Sequence, residues 1–164
     1  MKQILTWTGL MVASTILTTG CMTAYFGSPP PENPLGIFEQ ANPAEKTAMA
    51  QKLEVPGTGL KITVNTFPAL SQLDLIAAVY QDTVSGPAIE LTFDDHGTIE
   101  LDHITTKGRD GYLVICVADR PVAAWFITKR ITDGKFLLHG DFTAEEAKQY
   151  IKSWNKQIKK NLAP

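Results

Sequence analysis

Three histidines and two cysteines are the residues of this 164-residue chain best suited to chemistry. His96 follows Asp94 and Asp95, and His103 follows Asp102. Imidazole beside carboxylate is ligand material for a divalent cation and also the pairing that moves protons. Adjacent residues seldom converge on one ion, and neither a His-x-x-x-His spacing nor a paired-cysteine spacing occurs. A polar turn and a helix surface account for His96 and His103, and His139, beside Gly140, reads as structural. Asp94, Asp95 and Glu100 would need a particular separation in space to act as acid and base. Ser85-Gly86-Pro87 is no Gly-x-Ser-x-Gly elbow, and no glycine-rich phosphate loop precedes a helix. No catalytic residue, no metal site and no cofactor is therefore expected, and the protein is read as a non-enzyme.

Cys116 lies within Tyr112-Leu113-Val114-Ile115-Cys116-Val117, an apolar and β-prone run. A free cysteine there packs as a small hydrophobe, and no local base would make it a nucleophile. Binding chemistry has better material. Trp125 and Phe126 are neighbours in a strand candidate, so their side chains point to opposite faces. One suits a core and the other a contact surface, because aromatic side chains are common interface anchors. An exposed strand edge would offer an extended peptide a second way to bind.

The elements that hold these residues follow from pattern. Asn42-Pro43-Ala44-Glu45 looks like a helix start, and residues 44–53 are rich in helix formers. Val55-Pro56-Gly57-Thr58-Gly59 closes that segment as a loop. Leu60, Ile62 and Val64 alternate with polar residues, as in a half-buried strand. Residues 73–80 fit a strand or a short helix, and residues 88–93 fit a strand. Asp95 is a candidate helix cap. Residues 98–107 alternate like a strand at Ile99 and Leu101, yet Gly97, Leu101, Ile104 and Thr105 share a helical face. Residues 112–117 and 122–128, joined through Asp119-Arg120-Pro121, read as a hairpin. Asp133-Gly134 turns the chain into a short strand at 135–139. Thr143 and Glu146 form a capping box for a last helix, with a stripe of Ala147, Tyr150, Ile151, Trp154 and Ile158. Its lysines read as a solvated face near the negative helix end.

Composition places these elements in one ordinary domain: 44% hydrophobic and 20% charged residues, with a net charge of -2. There is no basic excess for nucleic acid and no multi-disulfide scaffold.

The first residues differ from the rest. Lys2 precedes an apolar stretch at 4–17, too short for a comfortable membrane span, and Thr18-Thr19-Gly20 leads directly to Cys21. This resembles a bacterial lipoprotein signal, with Thr18 where that family usually has Leu. The resemblance implies cleavage before Cys21 and lipid attachment at its thiol, so that the membrane is a partner through that lipid. Met22, where an Asp would signal inner-membrane retention, implies the outer membrane, facing the periplasm. Gly27-Ser28-Pro29-Pro30-Pro31-Glu32-Asn33-Pro34 reads as a semi-rigid spacer. The expected organisation is a signal peptide at 1–20, the lipidated cysteine and linker at 21–41, a helix and loop at 42–59, and the main domain at 60–164.

The order of pieces from Ser85 to Ala147 resembles the head subdomain of the first periplasmic domain of SecD and SecDF, accessory subunits of the bacterial protein-export channel. The matching residues are Gly97, Leu101 and Thr105 at four-residue spacing, Gly111 before Leu113-Val114-Ile115, then Val122, Gly134, Gly140 and Phe142-Thr143-Ala144-Glu145-Glu146-Ala147. Arg120 replaces the family's turn glycine, and Ala124-Trp125-Phe126 replaces its small-residue and proline run. The resemblance implies an α+β fold, a single small mixed sheet packed by two or three helices, and favours the helix over residues 97–107. It implies a non-catalytic binding domain for an envelope protein or an extended polypeptide, in the setting of protein export. The alternative is a structural or adapter lipoprotein that self-associates.

Overall fold

A computed structural model describes residues 32–42 and 50–162. The signal segment, Cys21 and residues 43–49 lie outside them. In chain order the elements are β1 (Leu35–Glu39), β2 (Ala50–Glu54), β3 (Lys61–Asn65), β4 (Leu70–Ser71), a 3-10 turn (Gln72–Asp74), β5 (Leu75–Thr83), β6 (Gly86–Phe93), α1 (Asp95–Lys107), β7 (Tyr112–Val117), β8 (Arg120–Phe126), β9 (Lys135–His139) and α2 (Ala144–Asn161).

The α+β class is as expected, but the single mixed sheet is not. The strands form three small sheets, ordered β4-β1-β7-β8, β2-β3 and β5-β6-β9. Every pairing between these strands is antiparallel. Strands β7 and β8 are the hairpin expected from their sequence, and residues 73–80 resolve into the 3-10 turn and β5.

Alternation explains why there are two cores. Leu113, Ile115 and Val117 of β7 point into the main core with Leu35 and Ile37 of β1, Ile89 and Leu91 of β6, and the apolar stripe of α2. Val114 and Cys116 point the other way, into a smaller core closed by Ile62 and Val64 of β3 and by Val55. A strand covered on both faces reads as an unbroken apolar run, which is what residues 113–117 are.

Two segments differ from their sequence reading. Residues 50–53 are not the end of a helix: β2 pairs with β3, Leu53 opposite Ile62 and Gln51 opposite Val64. Helix formers yield here to the packing of that hairpin. Nor does the linker run to residue 41, since β1 is hydrogen-bonded along β7 from Leu35–Val117 to Glu39–Leu113. Its Leu35 N–H donates to the buried Gln72 side chain at 2.8 Å, which satisfies a donor that β4 leaves free.

The capping box at the start of α2 is present as read, with the Glu146 backbone N–H donating to Thr143 Oγ1 at 3.2 Å and the Thr143 N–H to the Glu146 carboxylate at 2.7 Å. The latter bond holds the Glu146 carboxyl below its ordinary pKa. Ala147, Tyr150, Trp154 and Ile158 are buried, and Ile151 is half-buried. Helix α1 also forms, but Asp94, not Asp95, caps it, accepting the Gly97 N–H at 2.7 Å.

Candidate functional site

The face of α1 that carries Gly97, Leu101 and Thr105 organises the surroundings of the candidate site. A Cβ at residue 97 would stand 3.0 Å from Cβ of both Asp74 and Phe93, so glycine lets the first turn of α1 approach β6. Leu101 is fully buried in the main core. Thr105, 1% exposed, donates its hydroxyl to the Leu101 carbonyl at 2.7 Å and accepts the Ile131 backbone N–H at 3.0 Å. It thereby fastens the segment between β8 and β9 to the helix. Arg130 of that segment grips the Asp102 carboxylate with Nε and Nη2, the latter at 2.7 Å from Oδ2. The guanidinium holds the Asp102 carboxyl below the usual carboxylate range. This pair is exposed, so it fixes geometry more than it adds stability. Thr105→Val keeps the shape and removes the hydroxyl. It should cost about 1–2 kcal/mol by leaving the Ile131 N–H unsatisfied. Chemical denaturation measures that cost, and hydrogen exchange at Ile131 should accelerate with it.

The fastened segment walls one side of an open cavity of about 520 Å³. Trp125, Phe136, Leu137 and His139 contribute to its lining, and Lys129, Arg130 and Lys135 stand there beside Glu90 and Asp133, so its charges are of both signs. Strands β8 and β9 are the terminal strands of their sheets. They meet near Gly140, where the Asp141 N–H donates to the Val122 carbonyl at 2.7 Å and a Cβ on Gly140 would stand 2.8 Å from that same oxygen. Further along, the strands stay apart and Trp125 meets Phe136 edge-to-face, with ring centroids at 5.5 Å.

Trp125 and Phe126 therefore have different surroundings. Trp125 is half-buried against the main core and lines the cavity. Phe126, 42% exposed, lies edge-to-face with Tyr112 at 5.1 Å. The two rings do not share one surface. The loop at 129–133 and Phe136 carried no sequence signal as parts of a site, because partners far along the chain place them: Thr105 and Asp102 hold the loop, and pairing of β9 with β6 sets Phe136 beside Trp125.

The histidines are dispersed. His103 lies 3.8 Å from Glu100 of its own helix, and His139 edges the cavity. His96 Nδ1 is 3.2 Å from Asp74 Oδ1, and with Asp94 these form a group whose ligand atoms lie within 4.8 Å of one another. Both carboxylates already have local work. Asp74 accepts the Ser71 N–H at 2.8 Å, and Asp94 caps α1. Cys116 is buried in the smaller core. Arg120, at the hairpin turn, donates to the Tyr150 hydroxyl at 3.2 Å and pairs with Glu146 at 3.4 Å, which ties the turn to α2. No helix among the described residues is long and apolar enough to cross a membrane.

Comparison with known proteins gives this arrangement a family. No curated protein sequence matches the chain. A solved structure described as SecDF, a membrane component that enhances protein export, aligns with a TM-score of 0.58 at 20% identity, covering 76% of this chain and 63% of that one. The crystal structure of SecDF in a super-membrane-facing form aligns with the same TM-score at 19% identity, and there the chain spans only 19% of the structure's length. At such identities these likenesses speak for the fold. The model of the SecDF P1 head subdomain matches residues 47–152, well over half of the sequence. The match begins ahead of residue 60 and so takes in β2, the strands and α1 that follow, and the first half of α2. With its glycine-spaced α1, its capped α2 and its divided sheets, this chain belongs to the SecDF P1 head subdomain family.

Proposed function

We propose that the protein is a membrane-anchored envelope lipoprotein whose head domain binds extended polypeptide non-catalytically, in the periplasm and in association with protein export. The observation that carries this reading is the pair of terminal strands, β8 and β9, flanking an open cavity with an aromatic wall. Unpaired strand edges supply main-chain donors and acceptors that any extended segment can use, whatever its sequence. Trp125 and Phe136 supply apolar surface for its side chains. Lys129 and Lys135 beside Glu90 and Asp133 give the lining charges of both signs, which suits segments of varied sequence. The family membership supports the export setting, and the signal-like residues before Cys21 support the lipid anchor. Met22 supports attachment at the outer membrane. Phe126 forms a second, separate contact point on the opposite face of β8.

A permanently unfolded, carboxymethylated polypeptide is the direct probe. It should bind the purified protein, and Trp125→Ala should weaken that binding about tenfold, since interface aromatic truncations cost more than about 1 kcal/mol. Phe126→Ala should weaken it less. Equal affinity of the wild type and Trp125→Ala would refute the cavity as the binding site. Concentration-dependent oligomers without polypeptide binding would instead support a self-associating adapter that uses the same strand edges. For the anchor, mass analysis of the amino-terminal peptide should find acyl chains on Cys21, and Cys21→Ala should release the protein from membranes.

A further inference from the structure

The outer face of α2 carries a line of lysines. Lys148, Lys152, Lys156 and Lys159 are exposed and recur at helical spacing, opposite the buried Ala147, Tyr150, Trp154 and Ile158. Lys148 lies over the Tyr80 ring, 5.4 Å from its centroid, which leaves Lys152, Lys156 and Lys159 as the projecting part of the row. Acidic groups on this side include Glu145 and Glu146, in the first turn of the helix, and Glu32.

The second observation concerns where the chain enters the domain. Ser153 Oγ donates to the Glu32 carbonyl, and Trp154 Nε1 donates to the Asn33 carbonyl at 2.8 Å. Glu32 and Asn33 share a shallow cavity with Lys152, Ser153 and Lys156. The polypeptide that comes from Cys21 thus arrives on α2 itself, beside the lysine row. From Cys21 to Glu32 the chain reaches at most about 40 Å fully extended. A tether of that reach can hold α2 within a Debye length, about 8–10 Å, of the surface that carries its anchor.

We infer that α2 is the membrane-facing side of the domain, and that Lys152, Lys156 and Lys159 rest against anionic phospholipid headgroups. This rests on the reading of the chain as membrane-attached ahead of Glu32. It adds an orientation: β8, β9 and their cavity lie on other elements and stay open to the periplasm while α2 faces the bilayer. Attraction of lysines to an anionic surface is short-ranged and lost in high salt, so the orientation depends on lipid charge and ionic strength.

The test uses the full-length protein, purified from membranes and reconstituted into vesicles of phosphatidylcholine alone or mixed with phosphatidylglycerol. Amine labelling read by mass spectrometry gives the rate at each lysine, with Lys61 and Lys135 as internal references. Lys152, Lys156 and Lys159 should label about fivefold more slowly on the phosphatidylglycerol vesicles than on phosphatidylcholine, as about 1 kcal/mol per lysine gives. High salt should abolish the difference. A Lys152→Glu, Lys156→Glu variant should lose the protection of Lys159 while keeping the wild-type unfolding midpoint, because these side chains are exposed. Equal labelling on both vesicles overturns the orientation. The mass of the Cys21 peptide from the same digest reads the anchor separately. Protected lysines with an unacylated Cys21 uphold the orientation and overturn lipidation, whereas unprotected lysines with an acylated Cys21 do the reverse.

Discussion

Trp154→Ala should destabilise the domain by about 3–5 kcal/mol, the largest single-residue loss expected in this fold. The ring is 1% exposed and stacks on Tyr150 with centroids 5.9 Å apart. It belongs to the main core, where α2 covers the sheet of β5, β6 and β9. Truncation leaves a large cavity in a helix held by four buried side chains. Trp154→Phe separates packing from hydrogen bonding. It keeps an aromatic ring but removes the donor to the Asn33 carbonyl, and should cost about 1–2 kcal/mol. Urea unfolding followed by circular dichroism measures both losses. A phenylalanine variant as unstable as the alanine variant would mean that the bond to Asn33, rather than the packing, dominates. Hydrogen exchange in the phenylalanine variant should rise at Glu32 and Asn33 before it rises elsewhere, since that bond is one of two fastening the incoming chain to α2.

The contrast between α2 and the region before β3 says what a sequence can reveal here. Helix α2 is legible because its signals are local and agree: a capping box at Thr143 and Glu146, acids in the first turn, lysines in the last, and an apolar stripe at one period. The hairpin of β7 and β8 is legible for the same reason. Strand β2 is not, because Ala50-Gln51-Lys52-Leu53-Glu54 favours a helix on propensity alone. Its strand conformation comes from pairing with β3 and from Leu53 packing against the smaller core. Strand β1 was hidden by the prolines ahead of it, although Leu35 and Ile37 are among its most buried residues. The site follows the same rule. Trp125 stood out as an aromatic in a strand, and Gly97, Leu101 and Thr105 stood out by spacing. What those residues do depends on partners far along the chain: Phe93 and Asp74 against Gly97, Ile131 on Thr105, Phe136 against Trp125. A one-dimensional pattern marks the helix face but not the loop fastened to it. The proposed site is divided in the same way, because its strand edges exist only once the sheets end at β8 and β9.

Stability should fall by about 2 kcal/mol between pH 8 and pH 11 on account of Cys116 alone. Burial pushes this thiol up to about 11, and the nearby Asp119 charge adds to the rise. The thiol is 5% exposed and faces Val114, Ile62 and Val64 in the smaller core. In the unfolded chain it ionises near its ordinary pKa of about 8.5–9. Below that pH both states hold the proton and the contribution is fully present. As pH rises toward 11 the unfolded chain releases the proton while the folded one keeps it, so unfolding gains free energy. Two pKa units at about 1.4 kcal/mol each set the ceiling of the loss, which is reached only above pH 11. Every other group is common to wild type and Cys116→Ala, so the difference between the two curves isolates the thiol. Cys116→Ala should be less stable than wild type at pH 8, from lost packing, and should approach it by pH 11. Parallel curves would show that the thiolate is accommodated in the fold, and would remove burial as the reason this cysteine is inert. A direct check is alkylation of the native protein at pH 8, where Cys116 should react only through unfolding, at a rate that denaturant raises and that follows the opening of the β2–β3 hairpin.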